Sequence, residues 1–372
     1  MKKSILAALL AIIFIAGCEK EPIPNEKPVE PPKYTPATRV EGRVALAYIT
    51  SYGTAIPDPT FFTHFNYAFA EIYMVNGEYK GFKLQGSEFR FQQIVNLKSQ
   101  YPNLKISISF INSVSNADNI QGGGFSALSK SDEYRKAFAN DCKAFLIKWG
   151  IDGIDMDWEF PGMSWGADAF DAAVDVQNHV LLMKQLRETL GAGYLLTYAG
   201  YVTDKKIAAG GYKYIDVKAV DPYVDFVNLM TYDISEAPKH HSALFNANAD
   251  WDCDRTVKAY LNAGVAANKL VLGIPFYGRI SFSKSPGAIT YRNIMQLDRS
   301  IYKIDNWDQA ASVPFVTKNG IYYCGYDNER SIAAKGAWLL GLGMKGLMCW
   351  QYDQDDVSGT LRKALWEATM KK

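Results

Sequence analysis

Short apolar segments alternate with longer amphipathic segments along the chain from about residue 40 onward. Eight of the short segments are rich in β-branched and aromatic residues, which favour strands, and helical runs lie between many of them. Because neighbouring parallel strands need a crossover that is usually helical, this alternation predicts repeated βαβ units. The predicted strands are Val44–Thr50, Phe65–Ile72, Leu104–Asn112, Gly153–Glu159, Tyr194–Gly200, Phe226–Tyr232, Leu270–Pro275 and Gly346–Trp350.

Eight such units within residues 39–372 fit the size of a (β/α)8 TIM barrel. An open doubly wound sheet is the alternative, but no glycine-rich nucleotide fingerprint follows an early strand. The alternation breaks at about 279–323, where prolines and glycines separate short strand-like pieces. We therefore predict an α/β barrel with a short insertion between its seventh and eighth strands. The predicted helices are Glu88–Tyr101, Ser131–Trp149, Phe170–Leu190, Thr256–Ala263 and Asn328–Leu342.

The fourth predicted strand carries three acids at alternate positions: Asp155, Asp157 and Glu159. Alternate side chains of a strand share one face, so the three carboxylates would lie side by side. Burying an unpaired carboxylate is costly, which makes such a row rare as a purely structural feature. Close carboxylates push their pKa values apart, so that one can stay protonated near neutral pH and donate its proton. The row therefore predicts an acid–base site.

Two other interpretations of the acid row are weaker. A polar strand edge or a salt-bridged core cluster would be purely structural, but carboxylates with perturbed pKa values concentrate at functional sites. A Mg²⁺ or Ca²⁺ site is conceivable chemically, but the spacing matches no loop motif for those ions. A zinc site is disfavoured because the chain has four histidines and none lies near the acids. We therefore predict no metal and no cofactor.

Other polar and aromatic residues fall at the ends of predicted strands. Met230, Tyr232 and Asp233 end the sixth strand, Trp350 ends the eighth, and Tyr48 lies near the end of the first. Active groups of TIM barrels lie at the C-terminal ends of the strands. We therefore expect these side chains to meet the acid row at one rim of the barrel.

The first 18 residues have the pattern of an export signal. A basic start precedes an apolar run, Ile5–Phe14, that is too short to span a bilayer. The run is followed by Ile15-Ala16-Gly17-Cys18, which resembles a bacterial lipobox and implies cleavage before Cys18 and lipid on Cys18. Residues 19–38, rich in Pro, Glu and Lys, are predicted to be a tether. We expect a protein of the bacterial cell envelope, lipid-anchored to a membrane and facing the periplasm or the exterior. A simple secretory signal is the alternative.

The net charge and the remaining cysteines say little about partners, disulfide bonds or assembly. A net charge of +1 gives no reason to expect nucleic acid as a partner. Cys142 and Cys349 fall within helical and strand patterns and are expected to be core residues. A Cys253–Cys324 disulfide stays open from sequence, and so does the oligomeric state, with a monomer as the default.

At these same residues the chain resembles glycoside hydrolase family 18, the chitinases and their relatives. The family's DGxDxDxE signature stands here as Asp152–Glu159 and is followed by Phe-Pro-Gly. The resemblance covers about residues 40–370 and implies a TIM barrel that cleaves N-acetylglucosamine glycans. Companion motifs stand at Asn66–Ala70, Met230–Asp233, Gly273–Gly278 and Gly346–Trp350.

The resemblance implies a role for each acid. Glu159 would be the general acid that protonates the glycosidic oxygen. Asp157 would orient the substrate's acetamido group, whose carbonyl oxygen would attack the anomeric carbon and form an oxazolinium ion. This substrate-assisted route is an exception among retaining glycosidases. Asp155 would share a proton or a hydrogen bond with Asp157.

The resemblance also implies roles for five residues around the sugar. Tyr232 would donate a hydrogen bond to the acetamido carbonyl, and Trp350 would form the floor of the subsite. Asp233, Met230 and Tyr48 would line it.

The third strand departs from the family pattern. Ser-x-Gly-Gly is usual there, whereas Ser109-Phe110-Ile111-Asn112 keeps the serine and loses both glycines. The rim at this strand is therefore expected to be bulkier. The insertion also looks shorter than that of deep-cleft chitinases, which indicates a shallower groove.

These observations favour a hydrolase of β-1,4-linked N-acetylglucosamine polymers or oligomers. An endo-β-N-acetylglucosaminidase acting on N-glycans would use the same acids, and peptidoglycan contains the same sugar. A non-catalytic sugar-binding relative is a different class, but such proteins typically lose the terminal acid, and Glu159 is present. The intact run from Trp158 to Gly162 favours the chitinase-like reading.

Overall fold

A computed structural model describes residues 35–119, 124–163, 169–202, 214–245 and 251–371 of the 372-residue chain. The predicted signal, Cys18 and residues 19–34 of the predicted tether lie outside the described residues. No helix in the described ranges combines the length and apolar character that a membrane span needs.

Eight parallel strands close into a barrel, as the sequence predicts. The first strand pairs with both the second and the last, and this double pairing closes the sheet. The TIM-barrel prediction is therefore confirmed. The barrel strands are β1 (Val44–Thr50), β2 (His64–Val75), β4 (Lys105–Ile111), β5 (Gly153–Asp157), β6 (Leu195–Gly200), β7 (Phe226–Leu229), β8 (Leu270–Pro275) and β14 (Gly346–Trp350), and β3 (Glu78–Leu84) forms a hairpin with β2.

The barrel strands are buried on both faces, as parallel strands covered by helices must be. Every residue of β1, β5 and β8 is buried. The helices are α1 (Glu88–Val95), α2 (Phe125–Lys130), α3 (Asp132–Trp149), α4 (Asp175–Leu190), α5 (Val217–Val220), α6 (Cys253–Asn262), α7 (Tyr291–Met295), α8 (Glu329–Gly341) and α9 (Thr360–Met370).

The longest helix, α3, shows how local sequence sets the element boundaries. Ser131 caps its start, where the side chain accepts a hydrogen bond from the backbone N–H of Tyr134. Gly150 ends it in the left-handed conformation, with φ of 61°. Both residues lie at the positions where the sequence signals for a helix start and a helix end belong.

Two predicted strands extend two or three residues past their observed C-terminal ends. We predicted that the fourth strand reaches Glu159, but β5 ends at Asp157, because its last partner is Ile111 on β4. We also predicted that the sixth strand reaches Tyr232, but β7 ends at Leu229, where its pairing with both neighbours stops. The side chains that follow each strand are thus free to turn toward the barrel mouth.

The hairpin strand β3 is missing from the prediction. Its turn is Asn76-Gly77, and both residues have positive φ values, of 52° and 81°. An Asn-Gly pair between apolar runs is a strong hairpin signal, so the sequence did contain the information.

The insertion between β8 and β14 is a small antiparallel sheet with one helix. Its strand order is β10-β9-β13-β12-β11, and α7 lies between β10 and β11 in the chain. We expected the insertion at about 279–323; the observed strands run from Tyr277 to Gly325. The strands are β9 (Tyr277–Arg279), β10 (Ala288–Thr290), β11 (Tyr302–Asp308), β12 (Val313–Lys318) and β13 (Ile321–Gly325).

A fully buried ion pair joins the end of the insertion to the barrel. Lys335 on α8 donates to both carboxylate oxygens of Asp327, each at 2.8 Å, and to the hydroxyl of Ser242 at 2.7 Å. Both charged side chains have no exposed surface. Because buried charges are stable only when paired and hydrogen-bonded, this cluster fixes the loop after β7 against α8.

The four cysteines in the described part of the chain are buried free thiols. Cys253 and Cys324, whose pairing the sequence left open, are therefore not bridged. Cys142 and Cys349 lie in the core, as expected for small apolar side chains.

Candidate active site

The mouth of the barrel holds a pocket of about 380 Å³. Most of the predicted site residues line it, although they come from four different strands. Asp155 lies below the others and is fully buried. The lining residues are Tyr48, Phe69, Ile111, Asp157, Glu159, Phe160, Ala199, Tyr201, Met230, Tyr232, Asp233, Tyr277, Arg279, Phe282 and Trp350.

The signature segment begins with structural residues. Asp152 lies at the opposite end of β5 from the pocket, where it accepts a hydrogen bond from the backbone N–H of Ile106 and pairs with Lys98 and Lys105. Gly153 has no room for a side chain, because a Cβ there would lie 2.6 Å from that of Leu195. These two residues fix β5 within the barrel and thereby set the depth of the acids that follow.

Asp155 is the most deeply placed acid. It accepts four hydrogen bonds from four different barrel strands: from the hydroxyls of Tyr48 (2.9 Å), Ser109 (2.7 Å) and Thr197 (2.6 Å) and from the amide of Asn228 (3.1 Å). Burial raises the pKa of Asp155, and the four hydrogen bonds oppose that rise because they favour the charged form. Asp155 is therefore the acid of the row best equipped to hold a negative charge.

Asp157 lies between two other carboxyl groups. Burial, followed by the charges of Glu159 and Asp155, raises the pKa of Asp157 well above its usual range. Within the described ranges, no group bonds to its Oδ1 atom, which is buried. Asp157 lines the pocket, and a buried acceptor without a protein partner on such a side chain is suited to a polar group of a ligand.

Glu159 lies two residues beyond the end of β5 and is partly exposed in the pocket. Burial, followed by the charge of Asp233, raises the pKa of Glu159 to about 7. A carboxyl group with that pKa still carries a proton in weakly acidic to neutral solution. This is the property that a general acid needs.

Asp233 is held by the insertion. Arg279 on β9 binds both of its carboxylate oxygens, at 2.8 and 2.5 Å, and Nδ1 of His241 lies 3.3 Å from Oδ1. Burial alone would raise the pKa of Asp233, but His241 and Arg279 hold it well below its usual range. Asp233 therefore keeps a negative charge beside Glu159 at working pH.

Aromatic rings form the apolar part of the pocket. Trp350 stacks on Phe69 with ring centres 5.6 Å apart and lies 5.5 Å from the ring of Tyr48. Burial, followed by the charges of Asp157 and Glu159, raises the pKa of Tyr232 well above its usual range. The Tyr232 hydroxyl therefore keeps its proton and can donate it in a hydrogen bond.

Some pocket residues were not identified from the sequence. Arg279 directly follows the motif Gly273–Gly278, and Phe69 lies within the motif Asn66–Ala70. Both could have been identified by considering every side chain in or next to these motifs that can face the pocket. Phe282, on the insertion, carries no motif. We find no cluster of three or more His, Cys, Asp or Glu side chains suited to a metal among the residues that the structure describes.

The family model for glycosyl hydrolases family 18 matches residues 44–355. The chain belongs to glycoside hydrolase family 18. It is a chitinase-like member, and its matched range holds the whole barrel and the insertion. The predicted family membership is therefore confirmed.

Three relatives show how far the family similarity extends. Probable chitinase 2 of Drosophila melanogaster is 25% identical over 369 residues, which cover 86% of this chain and 74% of that protein. Chitinase 1 of Aphanocladium album is 32% identical over 295 residues, which cover 70% of this chain and 64% of that protein. The crystal structure of chitinase ChiW from Paenibacillus sp. matches with a TM-score of 0.75 and 28% identity, covering 88% of this chain and 43% of the other.

Proposed function

We propose that this family 18 protein hydrolyses β-1,4-linked N-acetylglucosamine chains, with chitin or chito-oligosaccharides as substrates, and that it retains the anomeric configuration. The observation that carries the proposal is that Glu159, whose pKa is raised to about 7, lines the same pocket as Asp157. The names of the relatives support a chitin-type substrate, and the aromatic floor of the pocket suits a sugar ring.

The first chemical step breaks the glycosidic bond. Glu159 donates its proton to the glycosidic oxygen, and the leaving sugar departs with that proton and the bonding electrons. The carbonyl oxygen of the substrate's own acetamido group attacks the anomeric carbon, so that an oxazolinium ion forms. Glu159 is left as a carboxylate.

Two acids and a phenol stabilise this intermediate. Asp157, whose raised pKa favours the protonated form at rest, passes its proton to Asp155 behind it as positive charge develops. It then accepts a hydrogen bond from the acetamido N–H and places negative charge beside the positive oxazolinium ring. The Tyr232 hydroxyl donates a hydrogen bond to the acetamido carbonyl oxygen and holds it against the anomeric carbon. Groups fixed in advance around developing charge are usually the largest source of rate enhancement.

The second step uses water. The Glu159 carboxylate takes a proton from a water molecule, whose oxygen attacks the anomeric carbon and opens the oxazolinium ring. The product is the β-anomer, and Glu159 is protonated again. Because one residue serves as acid and then as base, its pKa must lie close to the working pH, as the value of about 7 does.

The remaining site residues shape the subsite. Trp350 supplies an apolar surface against the face of the sugar, and Met230 and Tyr48 line the wall beside it. Asp233 raises the proton affinity of Glu159 and lies within reach of the sugar hydroxyls.

The experiment compares the purified protein with Glu159→Gln on chito-oligosaccharides and on a high-mannose glycopeptide. Glu188→Gln is the matched control, since Glu188 lies exposed on α4, where it pairs with Lys184 at 3.7 Å, and does not line the pocket. We expect β-anomer products from the wild type and the control, and a loss of roughly 10²–10⁴-fold in Glu159→Gln. Cleavage of the glycopeptide alone would shift the substrate to N-glycans, and sugar binding without turnover would indicate a lectin.

We further propose that the mature protein is held at a membrane of the bacterial cell envelope by lipid on Cys18. The support is the basic start, the apolar run and the lipobox-like sequence before Cys18. The test is metabolic labelling with a fatty acid in cells that express the full chain. We expect label in the wild type and none in Cys18→Ser; equal labelling of the two, or none in either, would contradict the proposal.

A further inference from the structure

The backbone of Glu159 lies beyond the last residue pairs that join β5 to its neighbouring strands. The last pair between β4 and β5 is Ile111 with Asp157, and the pairing of β5 with β6 stops earlier, at Met156. Among the residues that the structure describes, Glu159 therefore has no strand partner on either side. Backbone polar groups in a protein interior still need partners, so other groups must bind its N–H and C=O.

The side chain of Asn112 supplies both partners. The backbone N–H of Glu159 donates to Asn112 Oδ1 at 3.2 Å, and Asn112 Nδ2 donates to the Glu159 carbonyl oxygen at 3.5 Å. Asn112 is only 8% exposed. The Asn112 carboxamide therefore links the end of β4 to the segment that follows β5, and it holds the backbone of Glu159, the general acid, in that position.

Asn112 occupies the last position of the segment that departs from the family's Ser-x-Gly-Gly pattern. A glycine there has no side chain and could form neither hydrogen bond. Having Asn112 in place of glycine therefore adds two hydrogen bonds to the backbone of Glu159.

The loop that follows Asn112 is anchored in the protein interior. The buried carboxylate of Glu71 on β2 accepts hydrogen bonds from the backbone N–H groups of Ser115 (2.7 Å) and Asn116 (3.1 Å) and from the side chain of Asn119 (3.2 Å). Gln85 donates to Glu71 at 3.0 Å and to the carbonyl of Ser113 at 3.2 Å. These contacts fix the chain immediately after Asn112, so its carboxamide is held in place before substrate binds.

We propose that Asn112 is a positioning residue for the hydrolysis: it holds the Glu159 backbone so that the carboxyl group points at the glycosidic oxygen. The inference rests on the proposed function. Asn112 is not among the residues that line the pocket, so it acts through Glu159 and not on the substrate. A displacement of about 1 Å at a catalytic group can cost about 10²-fold in rate.

Asn119 provides a matched control. It is the same residue type in the same loop and is 6% exposed, and its side chain also bonds to a carboxylate and to a backbone carbonyl, those of Glu71 and Ile72. A change at Asn119 loosens the loop without removing the bonds to Glu159. The experiment therefore compares Asn112→Ala with Asn119→Ala in kcat, KM and melting temperature on a chito-oligosaccharide.

We expect Asn112→Ala to lower kcat by roughly 10–100-fold and to leave KM within about twofold of the wild type. Asn119→Ala should lower the melting temperature and leave kcat within about threefold. If both variants lose kcat equally, or if Asn112→Ala keeps the wild-type kcat, the inference is wrong. If the wild type shows no turnover, the proposed function fails first and this inference falls with it.

A second pair of variants keeps the test decisive if Asn112→Ala is poorly folded. Asn112→Asp retains the acceptor for the Glu159 N–H and adds a negative charge beside a carboxyl group that already faces Asp157, Asp233 and the phenols of Tyr201 and Tyr232. The alkaline limb of the kcat/KM profile should therefore move to higher pH in Asn112→Asp and stay in place in Asn119→Asp. An unmoved limb in Asn112→Asp would contradict the placement of Asn112 next to Glu159.

Discussion

The charge of Asp233 should set the upper end of the pH range in which the protein is active. The pKa of Glu159 is raised from 4.5 to about 7, and burial is the larger cause, with Asp233 second. Each pH unit corresponds to about 1.4 kcal/mol, so the site favours the protonated form by roughly 3–4 kcal/mol in total. The share that belongs to Asp233 is then less than half, about one pH unit.

Asp233→Asn removes this charge and keeps the shape of the side chain. Arg279, no longer neutralised, would act in the same direction and favour the ionised form of Glu159. We expect the alkaline limb of kcat/KM to move down by about one pH unit, from near 7 to near 6. At pH 7 the protonated fraction of Glu159 would fall from about one half to about one tenth, a loss of roughly fivefold, whereas at pH 5 this loss would be small.

The assay is the pH dependence of kcat/KM on a chito-oligosaccharide, because this quantity reports the pKa values of the free enzyme. Asp225→Asn is a suitable control, since Asp225 also pairs with an arginine, Arg187 at 2.6 Å, but does not line the pocket. The control should keep the wild-type limb. A limb that stays in place or moves to higher pH in Asp233→Asn would refute the electrostatic reasoning.

Three further changes probe other parts of the site and the fold. Tyr232→Phe removes the donor to the acetamido carbonyl and should lower kcat by roughly 10²-fold in a steady-state assay, with little change in melting temperature. Trp350→Ala removes the sugar platform and should lower kcat/KM about tenfold, and titration with an oligosaccharide should show weaker binding. Lys335→Ala leaves Asp327 as an unpaired buried charge and should cost about 3–5 kcal/mol in denaturant unfolding. The role given to Tyr232 would be contradicted by a kcat for Tyr232→Phe near that of the wild type. The role given to Trp350 would be contradicted by unchanged binding in Trp350→Ala, and that given to Lys335 by unchanged stability of Lys335→Ala.

Much of the site could be predicted because a parallel barrel converts sequence position into spatial position. Once the strands were identified, the ends of β1, β5, β7 and β14 had to meet at one rim. Tyr48, Asp157, Met230 and Trp350 follow from this rule and line one pocket. The order of the strands therefore contains the main outline of the site.

The contacts that the sequence did not reveal depend on the residue at which the hydrogen-bonded pairing of neighbouring strands ends. The spacing of the acids fits a continuous strand through Glu159, and only the three-dimensional pairing shows that β5 ends at Asp157. The bonds from Asn112 to Glu159 exist because of that early end. Likewise, the pairing of Arg279 with Asp233 joins residues 46 positions apart, across the loop after β7, and no local pattern specifies it.

The early end of β5 also explains how three acids of one sequence row acquire different properties. Asp155 lies deep among four donors that favour its charged form, Asp157 lies above it with one oxygen unbonded among the described residues, and Glu159 lies off the strand, partly exposed. If the strand continued through Glu159, all three side chains would share one face of a strand paired on both sides, and burial would act on them more alike. Ending the strand between Asp157 and Glu159 places the proposed proton donor at the mouth of the pocket and leaves the two aspartates behind it, where the proposed mechanism needs negative charge.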